Sequence, residues 1–374
     1  MTATPSPSPA PPTVLFAGGG TGGHIFPNLA ILERLKKHIP EANAVFAVSN
    51  RPLDTQILAS HTLAYVALPA RPLSIKPWLW PGIYQAFHES SRMVAAVLQQ
   101  LNVKAVVATG GFVSGPAVDA ARRLRIPAAL VNLDAVPGKA NRYLAAKASK
   151  VFTAYASPAI PDAEAIGLPL RQSALGPADK AAARRQLGLN PERETLLITA
   201  GSQGASTINR MMVELAGQSQ TRKVLAGWQM LHLSGDKDRE DLIAAYQAAG
   251  IPAKVLPFCD TMGLAWASAT LAISRAGANS VAEVWANAVP TIFYPYPYHR
   301  DQHQKLNAEP LTRTGMAILM LDEIDPTVNA RKLGPRLTAL ITNASQRYQM
   351  AEQMRATRPA DGAAAVAGWV KGRL

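Results

Sequence analysis

Gly18-Gly19-Gly20-Thr21-Gly22-Gly23-His24 lies between the apolar run Val14-Leu15-Phe16-Ala17 and a segment beginning near Ile25. Four apolar residues in a row suit a strand buried on both faces. Ile25, Leu29, Leu32 and Leu35 recur near the helical period and form one apolar stripe. The unit is therefore strand, glycine turn, helix. Such a turn brings backbone close to a ligand, and the unpaired amides of the helix start attract negative charge. This turn ends in His24, whose side chain ordinarily titrates near neutrality; taken alone, His24 can simply open the helix.

The same unit recurs along the chain. Ala44–Val48 and Leu63–Leu68 are strand candidates, and Ala105-Val106-Val107-Ala108 runs into Thr109-Gly110-Gly111-Phe112-Val113-Ser114-Gly115-Pro116. Ile126–Val131 supplies another strand, followed by a polar loop that contains Asp134 and Asn141, and Val151–Ala154 is expected to close the first sheet. Ser157–Leu189, rich in Pro, Gly and Ala, has the composition of a connector, with a turn at Gly167–Arg171. A second alternation starts at Thr195–Thr199, turns through Ala200–Ser206 into a helix, and continues with strands at Trp228–Leu233 and Lys254–Phe258. Glycine turns at strand ends gather on one edge of an open parallel sheet, where ligands bind.

Length and composition narrow the function classes. A chain of 374 residues favours two domains. These are expected at 13–171 and 172–354, after a disordered tail over 1–12 that is too polar and proline-rich for a signal peptide. The C-terminal segment is expected to be helical, and its last helix, about 355–374, can cross back to the first domain. One cysteine, Cys259, excludes an intramolecular disulfide and suits a reducing compartment. No Cys/His cluster has zinc spacing. The net charge of +13 calls for an anionic partner. Basic residues are dispersed, with clusters at Arg122-Arg123-Arg125 and Lys147–Lys150, and no nucleic-acid module is visible, so nucleic acid is set aside. Between Arg71 and Arg92 bulky apolar residues sit beside prolines in an expected loop. Trp78, Leu79, Trp80 and Ile83 there suit an interfacial lipid layer, flanked by Lys76 and Arg71. The alternative is that Trp78 and Trp80 cap the core from inside.

Two further turns carry the chemistry. Leu271–Ser274 leads into Arg275-Ala276-Gly277-Ala278-Asn279-Ser280-Val281-Ala282-Glu283, which places Glu283 about one and a half helical turns in, to accept from two vicinal hydroxyls. Pro290–Pro295 leads into His299–Ala308, where His303, Gln304 and Asn307 share a helical face. Amides and imidazoles there suit a sugar. Asp236-Lys237-Asp238 has the form of a metal-binding acid pair, but with Glu240 and Asp241 it opens a predicted helix, where the dipole favours acids. No metal site is assigned.

From Val14 to the C-terminus the chain resembles the MurG glycosyltransferases. The resemblance rests on Gly19-Gly20-Thr21-Gly22-Gly23-His24, Gly110–Pro116, Gly201-Ser202-Gln203-Gly204-Ala205, Arg275 through Glu283, and Asp301 through Ala308. It implies a metal-independent GT-B architecture: α/β, two Rossmann-like, doubly wound parallel-sheet domains facing a cleft. It implies inverting transfer of N-acetylglucosamine from UDP-N-acetylglucosamine, a substrate and not a cofactor, to undecaprenyl-pyrophosphoryl-N-acetylmuramoyl-pentapeptide. That places the chain in peptidoglycan synthesis, peripheral on the anionic cytoplasmic face of the cell inner membrane. Carried over by motif, His24 would be the base, with Thr21, Gly22 and Gly23 facing the transferred group. Glu283 would bind the ribose, Gln304 and Asn307 the donor sugar, and Ser202 with Arg171 the diphosphate, beside Ala278, Asn279 and Ser280. Cys259, Phe258 and Met262 would flank uracil. Gly20, Gly110, Gly111, Ser114, Asn141 and His303 would line the acceptor side. Where the family usually shows His-Glu-Gln-Asn, this chain has Val131-Asn132-Leu133-Asp134, which puts a carboxylate, Asp134, at a presumed substrate contact. Two alternatives stay open: a related UDP-sugar lipid transferase with another acceptor, and a catalytically silent nucleotide-sugar-binding scaffold at the membrane.

Overall fold

The computed structural model describes residues 11–20, 22–74, 76–199, 205–298 and 302–374. It comprises two α/β units. The first runs to Leu133, resumes over Pro137–Pro169 and takes back Asp361–Leu374; the second comprises Asp134–Val136 and Leu170–Ala360.

Among the described residues the first unit holds seven strands. They are β1 (Thr13–Ala17), β2 (Asn43–Ser49), β3 (Ala64–Leu68), β4 (Val103–Ala108), β5 (Ala128–Asn132), β6 (Lys150–Thr153) and β7 (Glu164–Ala165). All pair in parallel in the order β3-β2-β1-β4-β5-β6-β7. The order reverses between β1 and β4, so the turns that follow these two strands meet at the switch point. Every residue of β1 is buried, because helices cover both faces of the sheet. Leu15 and Ala17 pack with Val106, Leu130 and the helix Ser114–Arg123, while Phe16 stacks on Phe46 of β2 with centroids 5.3 Å apart.

The second unit contains β8 (Glu194–Thr199), β9 (Trp228–Leu233), β10 (Ala253–Leu256), β11 (Leu271–Ser274), β12 (Thr291–Phe293) and β13 (Ala317–Leu319), also parallel, in the order β10-β9-β8-β11-β12-β13. Its reversal falls between β8 and β11. Alternation along β8 divides the core: Leu196 and Ile198 pack with Ile208 and Met211, and Leu197 packs with Trp266 and Val281.

Val151–Ala154 does not close the first sheet; β7 pairs outside it, with Phe152 opposite Glu164. Ser157–Leu189 is no bare connector, since it carries β7, a 3-10 turn at Gln172–Ala174 and the helix Lys180–Gln186, capped by Asp179 through the Ala182 amide at 2.9 Å. From Pro77 onward the Arg71–Arg92 stretch is helical and not a loop. A 3-10 turn, Pro77–Leu79, opens into the long helix Trp80–Gln100. Pro81 falls in the first turn, where no backbone donor is needed, so a residue that signals a loop is tolerated at a helix start. β13 was not anticipated, because three residues carry no periodic signal.

The last helix, Gly362–Lys371, lies in the first unit against the helix Gly22–His38. Gly362 is required there, since a Cβ would fall 2.2 Å from the Gly167 carbonyl oxygen. Arg34 Nε pairs with Asp361 Oδ2 at 2.7 Å, and Trp369 sets its edge to Phe152 at 6.5 Å. The helix Ala344–Ala356 stays in the second unit.

Candidate active site

In the first unit the site grows from the ends of β1, β4 and β5. His24 lies on the first turn of the helix Gly22–His38, half-buried, with Gly22 buried and Gly23 half-buried beside it. Its Nδ1 is 3.1 Å from the backbone carbonyl oxygen of Thr109, at the end of β4. A carbonyl only accepts, so Nδ1 carries the proton and Nε2 keeps its lone pair. The Thr109 hydroxyl in turn donates to the His24 carbonyl at 2.6 Å.

Gly110 and Gly111 form a close wall around the imidazole. Their φ values are +108° and +75°, and a Cβ on Gly110 would sit 3.0 Å from the ring. One on Gly111 would sit 2.4 Å from the Gly19 carbonyl oxygen. Ser114 locks this turn: its hydroxyl donates to the Gly110 carbonyl at 2.6 Å and accepts from the Gly110 amide at 3.0 Å. At the end of β5, Asn132 is fully buried and accepts from Asn141 Nδ2 at 2.9 Å while donating to Thr153 Oγ1 at 3.2 Å. Asn132, within the Val131–Asp134 run, is thereby built into a local amide network.

In the second unit the helix Ala278–Asn287 follows β11 with Gly277 at its N-cap, which supplies no side chain to the first amides. Ala278, Asn279 and Ser280 are half-buried in that first turn. Glu283 accepts from Trp266 Nε1 at 2.8 Å. Burial pushes its carboxyl up to about 7, against smaller downward pulls from the Trp266 bond and the charge of Arg171. Gln304 accepts from the Tyr296 amide at 2.8 Å, and it shares the first turn of the helix His303–Thr312 with the half-buried His303. Asn307 is fully buried; its Oδ1 accepts from the Ala135 amide at 2.8 Å and its Nδ2 donates to Asp134 Oδ1 at 2.9 Å. Cys259 is buried with its Sγ 3.7 Å from Thr261 Oγ1, beside an exposed Phe258 and a half-buried Met262. Thr21, Ser202, Asp301 and the tail over 1–10 lie outside the described residues.

Trp78 and Trp80 are 72% and 58% exposed and do not cap the core from inside; Leu79 is exposed too, whereas Ile83 is half-buried. Trp80 Nε1 donates to the Ser74 carbonyl at 2.9 Å, and Lys76 lies over the Trp78 ring at 5.8 Å. Asp238 sits before the helix Arg239–Ala249 and accepts from Asn209 Nδ2 at 2.9 Å. Asn209 also meets His232, which is buried and held neutral, its pKa lowered to about 3 by desolvation. Among the described residues no group of three or more His, Cys, Asp or Glu is placed to hold a metal.

Sequence reasoning missed the supports of these turns. Arg275 is buried and bonds Asp322 Oδ2 at 2.8 Å, Thr207 Oγ1 at 2.6 Å and the Tyr294 carbonyl at 3.0 Å, tying together the segments after β8, β11, β12 and β13. An arginine directly after an apolar strand was the available signal. Trp266 and Thr109 gave none, since one acts from a distant helix and the other through its backbone.

Two α/β units, each built on a parallel sheet whose strand order reverses once, make up the GT-B architecture of nucleotide-sugar glycosyltransferases. Residues 14–153 match the glycosyltransferase family 28 N-terminal domain, and residues 195–366 match the family 28 C-terminal domain. The chain belongs to glycosyltransferase family 28 and, within it, to the MurG transferases. A protein of Nocardioides sp. named UDP-N-acetylglucosamine--N-acetylmuramyl-(pentapeptide) pyrophosphoryl-undecaprenol N-acetylglucosamine transferase is 35% identical over 83% of this chain and 84% of its own. One of the same name from Mycobacterium avium is 34% identical over 90% and 85%. The crystal structure of Acinetobacter baumannii MurG superposes with a TM-score of 0.75 at 24% identity, covering 97% of this chain and 99% of that one, a likeness of fold.

Proposed function

We propose that this chain transfers N-acetylglucosamine from UDP-N-acetylglucosamine to undecaprenyl-pyrophosphoryl-N-acetylmuramoyl-pentapeptide, with inversion at the anomeric carbon. The names of its relatives support the substrates. The observation that carries the chemistry is the bond from His24 Nδ1 to the Thr109 carbonyl, which leaves Nε2 as a base. The acceptor hydroxyl attacks the anomeric carbon from the face opposite UDP, its proton passes to His24 Nε2, and the bonding pair leaves with the diphosphate. Negative charge growing on the diphosphate is taken up by the amides that open the helix Ala278–Asn287 and by Arg171, with Ser202 assigned by its motif. Glu283, ionised, accepts from the two ribose hydroxyls. Gln304 and Asn307 contact the sugar, Asn307 exchanging its bond to Asp134 for one to the ligand.

The acceptor carries a lipid, and no helix among the described residues is long and apolar enough to cross a membrane. We assign the exposed Trp78, Leu79 and Trp80, with Lys76 and Arg71 near them in sequence, to contact with an anionic membrane surface from the cytoplasmic side. Mass analysis of products from UDP-N-acetylglucosamine and the muramoyl lipid, run beside UDP-glucose, UDP-galactose and a diacylglycerol acceptor, tests the assignment. A product gaining one N-acetylhexosamine only on the muramoyl lipid supports it. Transfer to the diacylglycerol alone, or donor binding without transfer, refutes it.

A further inference from the structure

Asp54 is fully buried and has no role in the reaction as derived above. It lies near the start of the helix Pro52–Ser60, just after β2. Its Oδ2 accepts from the Gly20 amide at 2.6 Å, from the Ser49 hydroxyl at 2.5 Å and from the Ser49 amide at 3.3 Å. Its Oδ1 is buried with no hydrogen-bond partner. Arg51, three residues earlier and exposed, donates from Nη1 to the Gly20 carbonyl at 2.6 Å. A carboxylate on the N–H and a guanidinium on the C=O therefore hold the two peptide groups that flank the Gly20 Cα. Gly20 has φ +91°, and a Cβ there would fall 2.8 Å from Phe112 Cε1; the Arg51 guanidinium lies 5.5 Å from the centroid of that ring. A buried carboxylate with one oxygen unpaired costs folding energy. It is retained here beside the glycine turn, where charge-assisted bonds are about twice as strong as neutral ones.

We propose that Asp54, assisted by Arg51, is a positioning residue for the transfer: by fixing Gly20 it sets the turn that starts the helix Gly22–His38 and so the aim of His24 Nε2. The inference rests on His24 being the base, and the test separates the two. Asp54→Asn keeps the shape and removes the charge. Displacing a base by a fraction of an ångström to one ångström costs up to about a hundredfold in rate. We therefore expect kcat to fall roughly ten- to a hundredfold, with UDP-N-acetylglucosamine affinity, read by calorimetry, unchanged within about twofold. In a His24→Ala background the same substitution should cost nothing more, because the group it aims is gone. A role confined to folding would instead lower the melting temperature and multiply its rate loss equally in both backgrounds. Equal losses, or an unchanged kcat beside a crippled His24→Ala, overturn Asp54 alone. Undiminished turnover in His24→Ala overturns the base itself. Should Asp54→Asn fail to fold, Arg51→Gln at the exposed end of the clamp enters the same cycle. A severalfold kcat loss that vanishes without His24 is expected, and an equal loss in both backgrounds overturns the proposal.

Discussion

Moving from pH 6 to pH 8 should strengthen donor binding through Glu283. Burial beside Trp266 raises this carboxyl from its ordinary 4.5 to about 7, yet only the ionised form offers acceptors to both ribose hydroxyls at once. With a pKa of about 7, roughly one molecule in eleven is ionised at pH 6 and ten in eleven at pH 8. The apparent dissociation constant should therefore fall about tenfold across that window, worth roughly 1.4 kcal/mol. The probe is UDP-N-acetylglucosamine, because UDP carries a terminal phosphate that itself titrates near 6. Calorimetry at pH 7 in two buffers of different ionisation enthalpy should show about half a proton released per ligand bound. The sign for stability is opposite. A raised carboxyl favours the folded state below 4.5 and loses that advantage as pH rises through 7. Glu283→Gln should therefore stabilise the unliganded protein at pH 8, by at most about 3 kcal/mol and less where water reaches the group, with little effect at pH 5. A dissociation constant that is flat from pH 6 to pH 8, with no buffer-dependent heat, would refute the assignment of Glu283 to the ribose.

His24→Ala should lower kcat about a hundred- to ten-thousandfold while calorimetric donor affinity stays within twofold. Gly111→Ala forces a Cβ to 2.4 Å from the Gly19 carbonyl at φ +75°, and a thermal melt should show a loss of about 2 kcal/mol or more. Asp322→Ala strands the buried Arg275 charge and should cost about 3–5 kcal/mol by urea unfolding, more than a paired apolar replacement of both residues. Trp78→Ala with Trp80→Ala should weaken binding to anionic vesicles in a sedimentation assay and leave turnover of a short-chain, soluble acceptor unchanged.

Which parts of this protein can be read from its residues follows from the range of the forces involved. The strands β1, β4, β8 and β11 each hold an apolar run, Val14–Ala17, Ala105–Ala108, Leu196–Ile198 and Leu271–Ile273, and small residues follow each strand in the sequence. Burial on both faces leaves that imprint locally, so the doubly wound class and the turns that carry His24, Gly110 and Glu283 were legible. The helix Trp80–Gln100 was hidden because proline is a breaker in a helix interior but harmless in its first turn, and the sequence does not mark which turn it occupies. β7 and β13, two and three residues long, exist because a neighbouring strand offers its edge. Only tertiary structure decided that Thr109, 85 residues from His24, selects the tautomer of the imidazole, that burial raises Glu283 against the bond from Trp266, and that Asp54 and Arg51 grip Gly20. Residue type and spacing state what a side chain can do. Its proton and its aim are set by partners that the folded backbone brings in from elsewhere in the chain, and those leave no local pattern to read.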